Sequence, residues 1–165
     1  MPEIVTDIVI NAPAAAVLDY ATTPAHWPRF WPITLSVSGD VGSPAVVGAR
    51  WIEQVKVSFW RGEFHWEAAE RVQPTRFVMR GKSQGHGWVG RLLPSEPGSI
   101  TYTLTETAGR THFHRVMEYA DANMLVKLMD VIFMRRAMRR AIDEALHALK
   151  DIMESGGATG TGTRP

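Results

Sequence analysis

Polar and apolar residues alternate from the start of this chain, and the alternation predicts mostly strands. Ile4, Ile8 and Ile10 share a face in Glu3–Asn11, with Thr6 and Asp7 between or beside them, so a first strand is expected there. Asn11 suits an N-cap and Pro13 a first helical turn, which predicts a short helix reaching about Tyr20. Thr23-Pro24 ends it, and Pro24 opens a second short helix to about Arg29. Pro28 and Pro32 bracket Phe30 and Trp31 and force the chain out of helix.

Strands separated by turn chemistry follow. Ile33–Ser38 precedes Gly39-Asp40, and Gly48–Val57 precedes Arg61-Gly62. In Glu63–Val72, Phe64, Trp66, Ala68 and Val72 are expected on one face, with His65, Glu67 and Arg71 on the other. Gln73-Pro74 turns into Arg76–Lys82, and a Gly-rich link precedes Gly87–Leu93. Ser99–Thr107 groups Ile100, Tyr102 and Leu104, and Ala108-Gly109-Arg110 turns into Thr111–Tyr119. Hairpin-length links make neighbouring strands antiparallel, because parallel pairing needs crossover helices.

The period then changes. Met124, Leu128, Val131, Met138, Ile142, Ala145, Leu149 and Ile152 recur at helical spacing, predicting one long amphipathic helix over about Asn123–Glu154. Its apolar face needs a partner, and the sheet is the only surface large enough. A curved sheet that grips one helix leaves a hollow between them. The expected architecture is therefore α+β: a seven-stranded antiparallel sheet, two short helices after strand 1 and a long C-terminal helix. Residues 1–154 are expected to form a single domain, and the Gly, Thr and Ala residues of 155–165 a disordered tail.

Composition narrows the functional classes. The net charge of +1, from 18 Lys and Arg against 17 Asp and Glu, gives no broad field for nucleic acid or membrane. There is no cysteine, hence no disulfide, thiolate nucleophile or cysteine-ligated metal. The start Met1-Pro2-Glu3 lacks the basic and apolar regions of a signal peptide, and no apolar run approaches a membrane span. The expected location is cytoplasmic.

Four segments carry a family resemblance: IVINAPAAAVLDYATTPAHWPRFWP near the start, VGARW at Val47–Trp51, ERVQPTRFVMRG at Glu70–Gly81, and the terminal MRRAMRRAIDEALHALKDIME. Over about residues 3 to 154 the chain resembles the START-like (SRPBCC) superfamily, with its polyketide cyclase/dehydrase and lipid-transport group and its birch pollen allergen group. The stretch Trp27-Pro28-Arg29-Phe30-Trp31-Pro32 is also similar to the coenzyme Q-binding subgroup. The resemblance implies a helix-grip fold around an apolar cavity. It implies a lipid, quinone or aromatic polyketide as ligand, bound by most members and transformed by a minority.

The residues add their own candidates. Trp51, Trp66, Trp88, Tyr102, Phe113 and Met117 are the expected walls of the hollow, and aromatic walls suit flat rings. Core filling is the competing explanation for each one singly. Arg135, on or beside the helix stripe between Val131 and Met138, is a candidate polar anchor for a carboxylate or phenolate. Arg135, Arg136, Arg139 and Arg140 equally fit a solvated helix face. Trp27–Trp31 is a candidate lid. His112-Phe113-His114 could lend two metal ligands and His65 or His86 a third, but spacing does not specify that third, so no metal and no cofactor is expected. Glu53 and Glu70 are candidate inward carboxylates with raised pKa, the kind of group that serves a cyclase or dehydratase as base. Nucleophile elbow, phosphate loop and His-Glu-x-x-His are all lacking, and no catalytic residue is assigned. Three functions stay open: small-molecule binding first, then proton-transfer catalysis by an inward Glu or His, then a protein-interaction module with a filled interior and an exposed Phe30–Trp31 patch.

Overall fold

The computed structural model describes residues 3–57, 60–85, 97–119 and 135–158. Its strands are β1 (Glu3–Ile10), β2 (Thr34–Gly39), β3 (Arg50–Val57), β4 (Trp60–Val72), β5 (Arg76–Gly85), β6 (Pro97–Thr107) and β7 (Arg110–Tyr119). The helices are α1 (Ala14–Ala21), α2 (Trp27–Phe30) after a 3-10 turn at Pro24–His26, and the long α3 (Arg135–Ala158). The strands form one antiparallel sheet in the order β1-β7-β6-β5-β4-β3-β2. The strands from β2 to β7 are neighbours in sequence order, and β1, separated from β2 by α1 and α2, lies at the far edge beside β7.

The helix-grip arrangement follows from two periodicities meeting. Along α3, Ile142, Ala145, Leu146 and Leu149 are buried at three-and-four spacing, and the helix packs on β1 and α2. Along the strands, Ile4 and Ile10, Phe77 and Met79, Ile100, Tyr102 and Leu104 alternate inward to meet it. Each large apolar side chain buried there contributes about 1.5–3 kcal/mol. The lower end of α3 is fastened to β1 by polar contacts: Lys150 Nζ donates to Val9 O at 2.7 Å, and Asn11 N donates to Glu154 Oε1 at 2.8 Å. The helix continues past Glu154 to Ala158.

Two local expectations change. Asn11 does not cap α1; the cap is Pro13, in extended conformation, and the Ala14 amide is taken by Glu106 Oε2 of β6 at 2.8 Å. A distant carboxylate replaces the local cap. The face assignment of β4 also breaks near its end, because the β4–β5 register shifts between Ala68 and Glu70. The bulge reverses the side-chain parity beyond it. Val72 is therefore 49% exposed, while Arg71 turns inward to Thr22, Ala45 and Asp19. Glu70 pairs with Arg76 at the surface and is not an inward carboxylate. Among the described residues, no helix is long and apolar enough to cross a membrane.

Candidate functional site

The site is the part of the inner face that α2 covers. Trp27, Trp31 and Ile33 close it from one side. Glu53 of β3, Phe64 and Trp66 of β4, Met79 of β5, Ile100 and Tyr102 of β6, and Arg115 and Met117 of β7 line the other. These side chains converge because the register aligns them across the sheet: Glu53 faces Phe64, Met79 faces Ile100, Tyr102 faces Arg115, and Ile100 faces Met117. The hollow they enclose measures about 30 Å³, roughly one water molecule's share of liquid volume.

Aromatic contacts set its shape. The Phe64 and Trp66 rings stack with centroids 5.3 Å apart, and Tyr102 packs on Phe113 at 5.0 Å. Trp27 meets Trp51 edge-on at 5.6 Å and anchors its indole N–H on Ala21 O at 3.0 Å. Trp66 lies against Gly81, where any side chain would collide with the indole.

Three polar groups interrupt this apolar wall. Glu53 is only 5% exposed; Trp66 Nε1 donates to its Oε2 at 2.9 Å, and the Thr34 hydroxyl donates to its Oε1. Burial pushes its carboxyl above the ordinary value, and the Thr34, Trp66 and Arg115 groups pull back without cancelling the shift. Tyr102 is pushed up to about 12 by burial, with Arg115 pulling it down and Glu53 raising it further. Arg115 is 3% exposed. Burial presses its pKa down, while Tyr102 and then Glu53 hold it up, so the guanidinium keeps its charge. It sits 4.9 Å from the Trp31 ring centroid, and Nη2 reaches Met117 Sδ at 3.8 Å.

The expected wall residues therefore fall into three groups. Trp66, Tyr102 and Met117 line the hollow. Trp51 and Phe113 are buried one layer behind it, against Trp27 and Tyr102. Trp88 lies outside the described residues, as does the side chain of Arg135 at the start of α3. Arg139 and Arg140 are exposed. The cation in the hollow is Arg115, which sequence reading passed over. Its signal was present, because Arg115 shares the parity of Phe113 and Met117 on β7.

The other candidates sort cleanly. His112 and His114 face outward, and both rings turn to one oxygen of Asp7, at 3.0 and 2.6 Å. Phe30 and Trp31 are 4% and 7% exposed, which places the aromatic patch needed for an interaction module inside the fold. A wider concavity of about 870 Å³ lies over β2 to β5, rimmed by Arg50, His65, Glu67, Arg80 and Lys82. Its Arg50–Glu67 pair is well solvated, and none of the three buried polar groups borders it.

Comparison with known proteins agrees with the fold. A family model described as polyketide cyclase / dehydrase and lipid transport matches residues 1–154. The Penicillium ochrochloron "Penitrem biosynthesis cluster 1 protein I" is 34% identical over an 83-residue alignment that covers 44% of this chain and 54% of that protein. The match thus spans about half the length of that relative. A Chromobacterium violaceum crystal structure superposes with a TM-score of 0.64 at 18% identity, covering 92% of this chain and 96% of its own. A protein from the dynemicin biosynthetic locus gives 0.62 at 17% identity, covering 93% of this chain and 48% of its own.

Proposed function

The chain belongs to the polyketide cyclase/dehydrase and lipid-transport family, and from that premise we propose that it binds a small, mainly apolar, ring-bearing molecule in the hollow between the sheet and the α2 segment. One observation carries the reading: five aromatic side chains, Trp27, Trp31, Phe64, Trp66 and Tyr102, converge from α2, β4 and β6 and the turn after α2 on a hollow that also holds buried polar groups. Apolar walls with a few placed polar groups are the usual form of a ligand site. The likeness to a penitrem biosynthesis cluster protein supports a biosynthetic small molecule as ligand.

A ring exceeds the hollow several-fold, since even benzene occupies a cavity of about 150 Å³. Binding therefore goes with displacement of the Trp27–Trp31 segment, which acts as a lid. Affinity comes from burial of ligand surface, about 25 cal/mol per Å².

Native mass spectrometry followed by denaturing extraction tests the reading. The expected result is a species of defined mass that leaves on denaturation. A folded protein that carries none, and whose tryptophan emission shows no saturable quenching by naphthalene probes, overturns it.

Glu53 favours a second, enzymatic reading, in which its buried carboxyl moves a proton on the bound molecule, as in a cyclase or dehydratase. Under that reading Glu53→Gln abolishes turnover and leaves binding within a few-fold. Turnover that survives the substitution rejects it.

A further inference from the structure

Arg115 is a buried cation whose needs the protein meets only in part: Tyr102, opposite it on β6, and then Glu53 support its charge. Its Nε and Nη1 have no hydrogen-bond partner, and no ion pair joins it to any acid among the described residues. Glu53 acts on it only through space, since its two oxygens accept from the Thr34 hydroxyl and the Trp66 indole and neither forms an ion pair with the guanidinium. Trp31 offers a ring face and Met117 a weak sulfur acceptor, and neither supplies a counter-charge. A guanidinium cannot discard its proton to escape the cost of burial.

A second orphan lies beside it. Thr6 of β1 pairs directly with Arg115 of β7, on the same inward parity as Ile4 and Ile10. Its buried Oγ1 also lacks a partner. Buried polar groups in native proteins are nearly always satisfied, so these orphans call for an explanation, and of the two Arg115 is the one that borders the hollow.

We propose that the hollow takes a ligand bearing an anionic oxygen, as a carboxylate, phenolate or enolate, which docks on Arg115. This rests on the ligand-binding reading above and narrows it, from any apolar ring compound to an acidic one. It assigns Glu53 a distinct part: held by Thr34 and Trp66, it leaves the guanidinium open to the ligand.

The test compares 2-naphthoate with its methyl ester by titration calorimetry at pH 7, because the two share a ring body and differ in charge. The wild type is expected to prefer the acid by about 10-fold or more, the scale of a hydrogen bond to a charged group. Arg115→Gln is expected to bind acid and ester alike, and Arg115→Lys to keep part of the preference. Equal affinity of the wild type for acid and ester overturns the inference and leaves the ligand-binding reading standing. A preference that survives in Arg115→Gln also overturns it. Failure of both probes to bind a folded wild type rejects the inference together with the reading beneath it. The wild-type comparison decides the matter even if Arg115→Gln does not fold.

Discussion

The indole N–H of Trp66 donates to Glu53 Oε2 at 2.9 Å, and the ring that carries it rests on Gly81 of the neighbouring strand. A Cβ at Gly81 would meet the indole edge with no space left, so the absence of a side chain on β5 sets the position of a polar group on β4. Gly81→Ala is therefore expected to shift Trp66 and loosen Glu53, at an overpacking cost of about 1–3 kcal/mol. Urea unfolding measures that cost. It should shrink in a Trp66→Leu background, because the collision is removed; an undiminished cost would separate Gly81 from Trp66.

Glu53 gives the fold a pH dependence of known sign. A carboxyl held above its ordinary value of 4.5 by burial binds more protons in the folded than in the unfolded state. Its contribution is complete below the ordinary value and is lost as pH rises through the folded value. The wild type should then match Glu53→Gln in acid and fall progressively below it toward neutral pH, with a slope no steeper than about 1.4 kcal/mol per pH unit. Denaturation midpoints measured between pH 4 and pH 8 check this. Parallel curves for the two proteins would show that Glu53 is not held protonated by burial.

How far these features were legible in the sequence depends on whether they are local. Ile142, Ala145 and Leu149 announce the buried stripe of α3 through their own spacing, and Ile100, Tyr102 and Leu104 announce the inward face of β6. Glu53 is readable for the same reason, as it alternates with Trp51 and Val55. The bulge after Ala68 is not local: it exists only in the pairing of β4 with β5, so nothing in Glu63–Val72 alone shows that Arg71 turns inward and Val72 outward. Capping of α1 by Glu106 is hidden likewise, being a contact across 92 residues. Arg115 is a different case. Parity placed it inward, but an arginine is expected at the surface, and residue type prevailed over period.

The β6–β7 hairpin carries correctable backbone strain. Ala108 has φ 51° and Gly109 φ 75°, both in the left-handed region that suits glycine. Ala108→Gly removes the steric penalty of the Cβ at the expense of some unfolded-state entropy, and the balance is a gain of about 0.5–1 kcal/mol. Ala108→Asn should be tolerated and Ala108→Val should be destabilising. Thermal melts of the three variants give the ranking, and a valine variant as stable as the glycine one would remove strain as the explanation.

Arg71 shows how the bulge is used. Once turned inward, its Nη1 donates to Thr22 Oγ1 at 2.8 Å and Ala45 O at 3.1 Å, and its Nη2 reaches Asp19 Oδ1 at 2.6 Å and Gln73 Oε1 at 2.9 Å. One side chain thus joins α1 and the loop before β3 to the end of β4. The two halves of this network carry different weights. Asp19 is half exposed, so its ion pair is screened and Asp19→Asn should cost under about 1 kcal/mol. Thr22 and the Ala45 carbonyl are buried and lose their donor in Arg71→Met, which should cost about 2 kcal/mol or more. Chemical denaturation of both variants tests the asymmetry. Equal losses would mean that the charge pair, and not the buried hydrogen bonds, holds α1 against the end of the sheet.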